Sequence, residues 1–126
     1  MFSQLVRASV LASVCVAAVA TEAPARTPFD GAWSVLIVTT QGECDRAYRY
    51  GVSIIDGYVR YGGGGGGMIN MYGRVSANGS IRVTLSSGGA QANGSGRLGQ
   101  SSGGGNWSGV SGGSRCAGYW RASRSG

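Results

Sequence analysis

From Trp33 onward, apolar and polar residues alternate with a period of two, and no later stretch holds a 3.6-residue period over three turns. The pattern predicts an all-β fold. Residues 33–39, Trp-Ser-Val-Leu-Ile-Val-Thr, read as a strand that is apolar on both faces near its middle, as a well-covered strand should be. A second strand over 46–55 carries Tyr48, Tyr50, Val52 and Ile54 on one side. Asp56-Gly57 then supplies a two-residue turn whose positive φ angles suit those residues. The turn sets a register in which Ile54 opposes Val59 and Val52 opposes Tyr61 on the inner face, while Ser53 meets Arg60 outside.

The next hairpin centres on Ala77-Asn78-Gly79. A two-residue Asn78-Gly79 loop would place Val75 opposite Arg82 and mix the faces. A three-residue loop with a left-handed Gly79 instead pairs Val75 with Ile81, Gly73 with Val83 and Met71 with Leu85. The second register is preferred, and it sets Arg74 opposite Arg82 on the outside. Residues 86–114 hold 11 Gly and 8 Ser, a composition that suits a flexible tail. Alternation nevertheless continues through Ala90, Ala92, Gly94, Gly96 and Leu98, and Trp107, Cys116 and Trp120 follow, so strands are predicted there. The six-glycine run at 62–67 has no side chain to pack and is expected to form a flexible loop. About eight strands result, near 32–40, 46–55, 58–62, 68–76, 80–86, 90–98, 104–110 and 116–123. Short connections favour a small antiparallel meander, and a meander removes its exposed edges by closing into a β-barrel.

The N-terminal segment stands apart from this pattern. Residues 1–7 carry one positive charge, residues 8–20 are an apolar run, and small residues follow at Ala18-Val19-Ala20 and Ala23-Pro24-Ala25. Residues 1–25 therefore read as a signal peptide, cleaved after Ala25 or after Ala20, and 26–126 as a single domain. The apolar run is shorter than the ~20 residues of a membrane-spanning helix, so no transmembrane span is expected in the mature chain. The chain is expected to be exported, periplasmic or secreted. In that setting Cys44 and Cys116 form an even pair and a disulfide is their expected state. Closure of the barrel would bring the end of the first strand beside the start of the last, where these cysteines fall.

Composition narrows the chemistry. The chain has 11 Arg, no Lys, no His and 5 acidic residues. Without histidine there is no imidazole base, no Ser/His/Asp arrangement and no common zinc ligand set; without lysine there is no Schiff base. No catalytic residue, metal site or cofactor is predicted, and the expectation is a non-enzymatic binding or envelope-interaction protein. Glu43-Cys44-Asp45 is the one local pair of carboxylates, and a salt bridge to Arg46, Arg49 or Arg115 is its expected role.

Gly31-Ala32-Trp33 at the opening of the first strand resembles the Gly-x-Trp start of lipocalins and other calycin barrels. Four segments resemble, together, a group of small uncharacterised exported proteins of alphaproteobacteria. They are residues 29–35 (Phe-Asp-Gly-Ala-Trp-Ser-Val), 42–45 (Gly-Glu-Cys-Asp), 93–98 (Asn-Gly-Ser-Gly-Arg-Leu) and 115–122 (Arg-Cys-Ala-Gly-Tyr-Trp-Arg-Ala). The resemblance implies export and a calycin-like barrel and brings no activity with it.

Two candidate sites remain. Alternation places Arg49, Arg60, Arg74, Arg82, Arg97 and Arg121 outside, with Tyr58, Tyr72 and Tyr119. Guanidinium forks match phosphate and carboxylate, so this exterior suits anionic polysaccharide, lipopolysaccharide or membrane headgroups. Nucleic acid is not expected for an exported chain without repeated Arg-Gly-Gly units. Inside, Trp33, Tyr48, Tyr50, Trp107 and Trp120 either fill the barrel or line a pocket for a small ligand. A periplasmic inhibitor of another protein is a further reading.

Overall fold

The computed structural model describes residues 26–64 and 68–125; the predicted signal peptide, residues 1–25, lies outside them. Eight antiparallel strands run in chain order: β1 (Gly31–Gln41), β2 (Ala47–Ile55), β3 (Tyr58–Gly64), β4 (Asn70–Val75), β5 (Ser80–Ser87), β6 (Ala90–Leu98), β7 (Ser102–Ser111) and β8 (Ser114–Arg124). Each pairs with the next, and β8 returns to pair with β1, which closes the barrel. Closure removes the free edges that β1 and β8 would otherwise offer to another chain; the β3–β4 seam pairs only Tyr58–Arg60 with Tyr72–Arg74.

The turns fix the register as their chemistry dictates. Asp56 and Gly57 both have positive φ, and Ile54 faces Val59, Val52 faces Tyr61 and Ser53 faces Arg60. At the β4–β5 turn Gly79 is left-handed, its N–H donates to the Ser76 carbonyl, and Val75 pairs with Ile81 and Arg74 with Arg82. The Gly/Ser-rich region is strand, not tail: β6 and β7 pair over their whole length from Ala90↔Ser111 to Leu98↔Gly103. The glycine run is divided. Gly62, Gly63 and Gly64 are not loop but the end of β3, with Gly63 opposite Gly51 and Gly64 opposite Tyr50 after a register shift. Backbone pairing needs no side chain, so the loop expected from 62 is shortened by three residues; 65–67 lie outside the described residues.

The core is one buried cluster that starts at one end of the barrel and continues through Val52, Tyr50, Ile37 and Trp120. Phe29, Trp33, Ile54, Val59, Val75, Ile81, Leu98 and Ala122 are buried, and Trp33 is 1% exposed. A turn at residues 27–30, ahead of β1, plugs this end. The Trp33 indole donates to the Phe29 carbonyl at 2.9 Å. Arg124, at the end of β8, donates to the carbonyls of Asp30 (2.7 Å), Pro28 (2.6 Å) and Gln100 (2.8 Å) while its guanidinium lies 4.7 Å over the Trp33 ring. Asp30 accepts from the N–H groups of Asp56 and Gly57 and from the Thr27 hydroxyl. The N-terminal turn is thereby tied to the β2–β3 turn and to the last strand.

At the other end the restraint is covalent. The Cys44–Cys116 disulfide, with Cα atoms 6.2 Å apart, pins the β1–β2 loop to the start of β8. Thr39, buried on β1, donates to the Asp45 carbonyl and holds the other side of the same loop.

Candidate functional site

Inward-facing residues of β6 and β7 are mostly Ala and Gly, and bulky neighbours take up only part of the space they leave. A Cβ on Gly96 would stand 2.8 Å from Cζ2 of Trp120, so glycine is what lets that indole lie across β6 and donate to the Ser95 carbonyl at 3.2 Å. Gly118 lets β8 approach β1: a Cβ there would collide with the Val38 carbonyl, to which the Trp107 indole donates at 3.0 Å. The tryptophans therefore pack along the wall of the barrel rather than across its axis.

A cavity of about 90 Å³ remains between them. Its lining includes Trp33, Val35, Ile37, Met71, Val83, Leu85, Ala92, Trp107 and Trp120, with Tyr48 and Tyr50 on the same wall. One water needs only ~10–15 Å³, so the space is several waters large, yet the lining offers few polar partners to hold them. All three indole N–H groups are already spent on backbone carbonyls. Such a cavity favours an apolar occupant.

The cavity leads to an open mouth. Tyr48, Tyr50, Leu85, Ala92 and Trp107 line both the cavity and a wider space of about 500 Å³, bounded by Glu43, Asp45, Ile69, Ser86, Ser87, Gln91 and Val110. Apolar floor thus gives way to polar rim. Tyr50 is buried, its ring 6.1 Å from those of Tyr48 and Tyr61. Burial and then the neighbouring tyrosines push its ionisation well above the ordinary range; burial and then the Asp45 charge raise that of Tyr48. Both hydroxyls therefore stay protonated and available as donors at neutral pH. Among the described residues neither Glu43 nor Asp45 shares a side-chain hydrogen bond with Arg46, Arg49 or Arg115; Arg49 donates to Ser34 Oγ at 3.2 Å instead.

All five interior aromatics proposed for a pocket, Trp33, Tyr48, Tyr50, Trp107 and Trp120, line this one space. Val35, Ile37 and Ala92 join them, as the strict alternation of β1 and β6 implies. Arg124 was not foreseen as a structural residue, although the Trp120, Ala122, Arg124 spacing puts it on the inward face.

The six candidate arginines are all exposed, as alternation requires, and closure sorts them into two walls. On the first, Tyr58, Arg74, Arg82, Ser95 and Asn106 form one outward row across β3 to β7. Arg60, Tyr72, Thr84, Asn93 and Ser108 form the next. The Arg74 guanidinium lies 4.7 Å over the Tyr58 ring. On the second wall, Arg97, Arg121 and Arg49 share a row but are separated by Gly104 and Leu36. The Arg121 guanidinium lies 5.5 Å from the Tyr119 ring.

No protein-family model, curated protein or solved structure matches this chain.

Proposed function

We propose that this chain is an exported, non-enzymatic binding protein that carries a small amphiphilic ligand in the barrel, apolar part inward and polar part at the mouth. One observation carries the reading. The apolar cavity shares a wall with a wider opening rimmed by Tyr, Ser, Gln and carboxylate groups, while the N-terminal turn and Arg124 cover the other end. Small eight-stranded barrels have room for either a filled interior or one ligand, and partial filling favours the second. The calycin-like Gly31-Ala32-Trp33 opening is consistent with such a cup. Export is supported by the leader-like residues 1–25 and by the disulfide, a bond that persists in oxidising compartments.

Native mass spectrometry of the gently recovered protein tests the reading. An added mass that disappears on denaturation supports it. A bare chain that also fails to take up N-phenylnaphthylamine, a neutral apolar fluorophore, contradicts it.

A further inference from the structure

Every carboxylate of the described residues lies at an end of the barrel. Asp30 and Asp56 are in turns at the plugged end and Glu43 and Asp45 are in the loop at the mouth; no strand contains an acidic residue. The strands hold Arg49, Arg60, Arg74, Arg82, Arg97 and Arg121 on their outer face, so the side wall is positive with nothing of opposite sign interspersed. The two walls differ in density. Arg74 and Arg82 are direct cross-strand partners, with Cα atoms roughly 5 Å apart, and Arg60 is on the strand beyond, one diagonal step away. Arg97 borders this cluster, one diagonal step from Arg82, whereas Arg121 and Arg49 are each two strands from the next arginine of their row, roughly 10 Å.

Like charges directly opposed on adjacent strands repel and are unfavourable without an intervening anion. The dense wall keeps such a pair, and its flat companions are Tyr58, 46% exposed, and Tyr72, 70% exposed. Along the same rows stand Ser95, Asn106, Thr84 and Asn93. We infer that the β3–β5 wall is a binding surface for an acidic polysaccharide. Guanidinium forks take its carboxylates, exposed tyrosine rings stack on the apolar faces of its sugars, and hydroxyl and amide side chains meet its hydroxyls. A lipid headgroup surface fits less well, because the wall lacks the exposed aliphatic or tryptophan side chains that enter a bilayer interface. This surface is separate from the cup, so either assignment stands or fails without the other.

The test measures binding of the disulfide-bonded protein to polygalacturonate, with uncharged dextran and phosphatidylglycerol vesicles as comparisons. Binding to polygalacturonate that weakens with salt is expected. Arg74→Ala/Arg82→Ala should weaken it about tenfold or more, and Tyr72→Ala by a smaller factor, whereas Arg49→Ala/Arg121→Ala changes it less than about threefold. All five positions are exposed, and an unchanged melting temperature confirms that each variant folds. No binding to polygalacturonate, equal losses from the two double variants, or binding to vesicles alone overturns the inference.

Discussion

The two ends of the barrel are built from the same eight strands and solve the problem of closure differently. At the plugged end, side chains fill the space and polar groups are paired: Trp33 with Phe29, Arg124 with three carbonyls, Asp30 with two turn N–H groups. At the mouth a disulfide and two hydrogen bonds from Thr39, hydroxyl to Asp45 and N–H to Arg46, hold the loop, and the interior stays open. Packing serves where nothing has to enter. A covalent tie holds a rim in place without occupying the space inside it. The difference explains how a chain with so few large side chains keeps a stable barrel and a cavity together.

The contrast predicts different responses to substitution at each end. Trp33→Ala removes the largest fully buried side chain of the plugged end and should cost about 3–5 kcal/mol in urea unfolding, the greatest single effect. Cys44→Ser/Cys116→Ser opens a loop spanning 72 residues, and the chain-entropy estimate puts the loss at about 4 kcal/mol. Reduction should also loosen the mouth first, so hydrogen exchange should accelerate in the β1–β2 loop before β8 near Arg124 is affected. Uniform acceleration over both ends would break the comparison.

Arg124→Met keeps much of the packing over Trp33 but leaves three carbonyls without their donor, and a cost of about 2 kcal/mol is expected. Acid acts more weakly and at the same end. Burial opposes ionisation of Asp30, but the hydrogen bonds from Thr27, Asp56 and Gly57 outweigh it and hold the carboxyl below its ordinary value. Its stabilising contribution is therefore complete above about pH 3.8 and is lost as pH falls through the lowered folded value. Asp30→Asn should flatten the acid limb of the stability curve in that window, measured by melting temperature against pH. An unchanged limb would remove Asp30 from the account.

Much of this architecture was legible in the sequence because it rests on local rules. Alternation, the Asp56-Gly57 turn and the left-handed Gly79 specify registers without knowledge of the rest of the chain, and both hairpins have them. Closure followed from short connections, and the Cys44–Cys116 pair from the even cysteine count of a chain expected to be exported, with which closure agrees. The interior was less legible. Whether Trp107 and Trp120 fill the barrel depends on where their rings lie, and Gly96, which admits Trp120 to the wall, looks like any other glycine in a glycine-rich segment. The grouping of arginines into dense and sparse walls needs the registers of β5 to β8 chained around the barrel, because no single hairpin contains it. Arg124 reads as surface charge until the N-terminal turn that it clamps is in place.

The smallest expected effect on stability accompanies the largest on binding. Ala92 lines both the cavity and the mouth, so Ala92→Phe puts a ring into existing space at the neck and should change stability by less than about 1 kcal/mol. Titration of the wild-type chain and this variant with N-phenylnaphthylamine, followed by fluorescence, tests the central claim most directly. The account predicts saturable one-to-one binding to the wild-type protein and its loss in Ala92→Phe at an unchanged melting temperature. Equal binding by the two proteins, or none by the wild type, would contradict it.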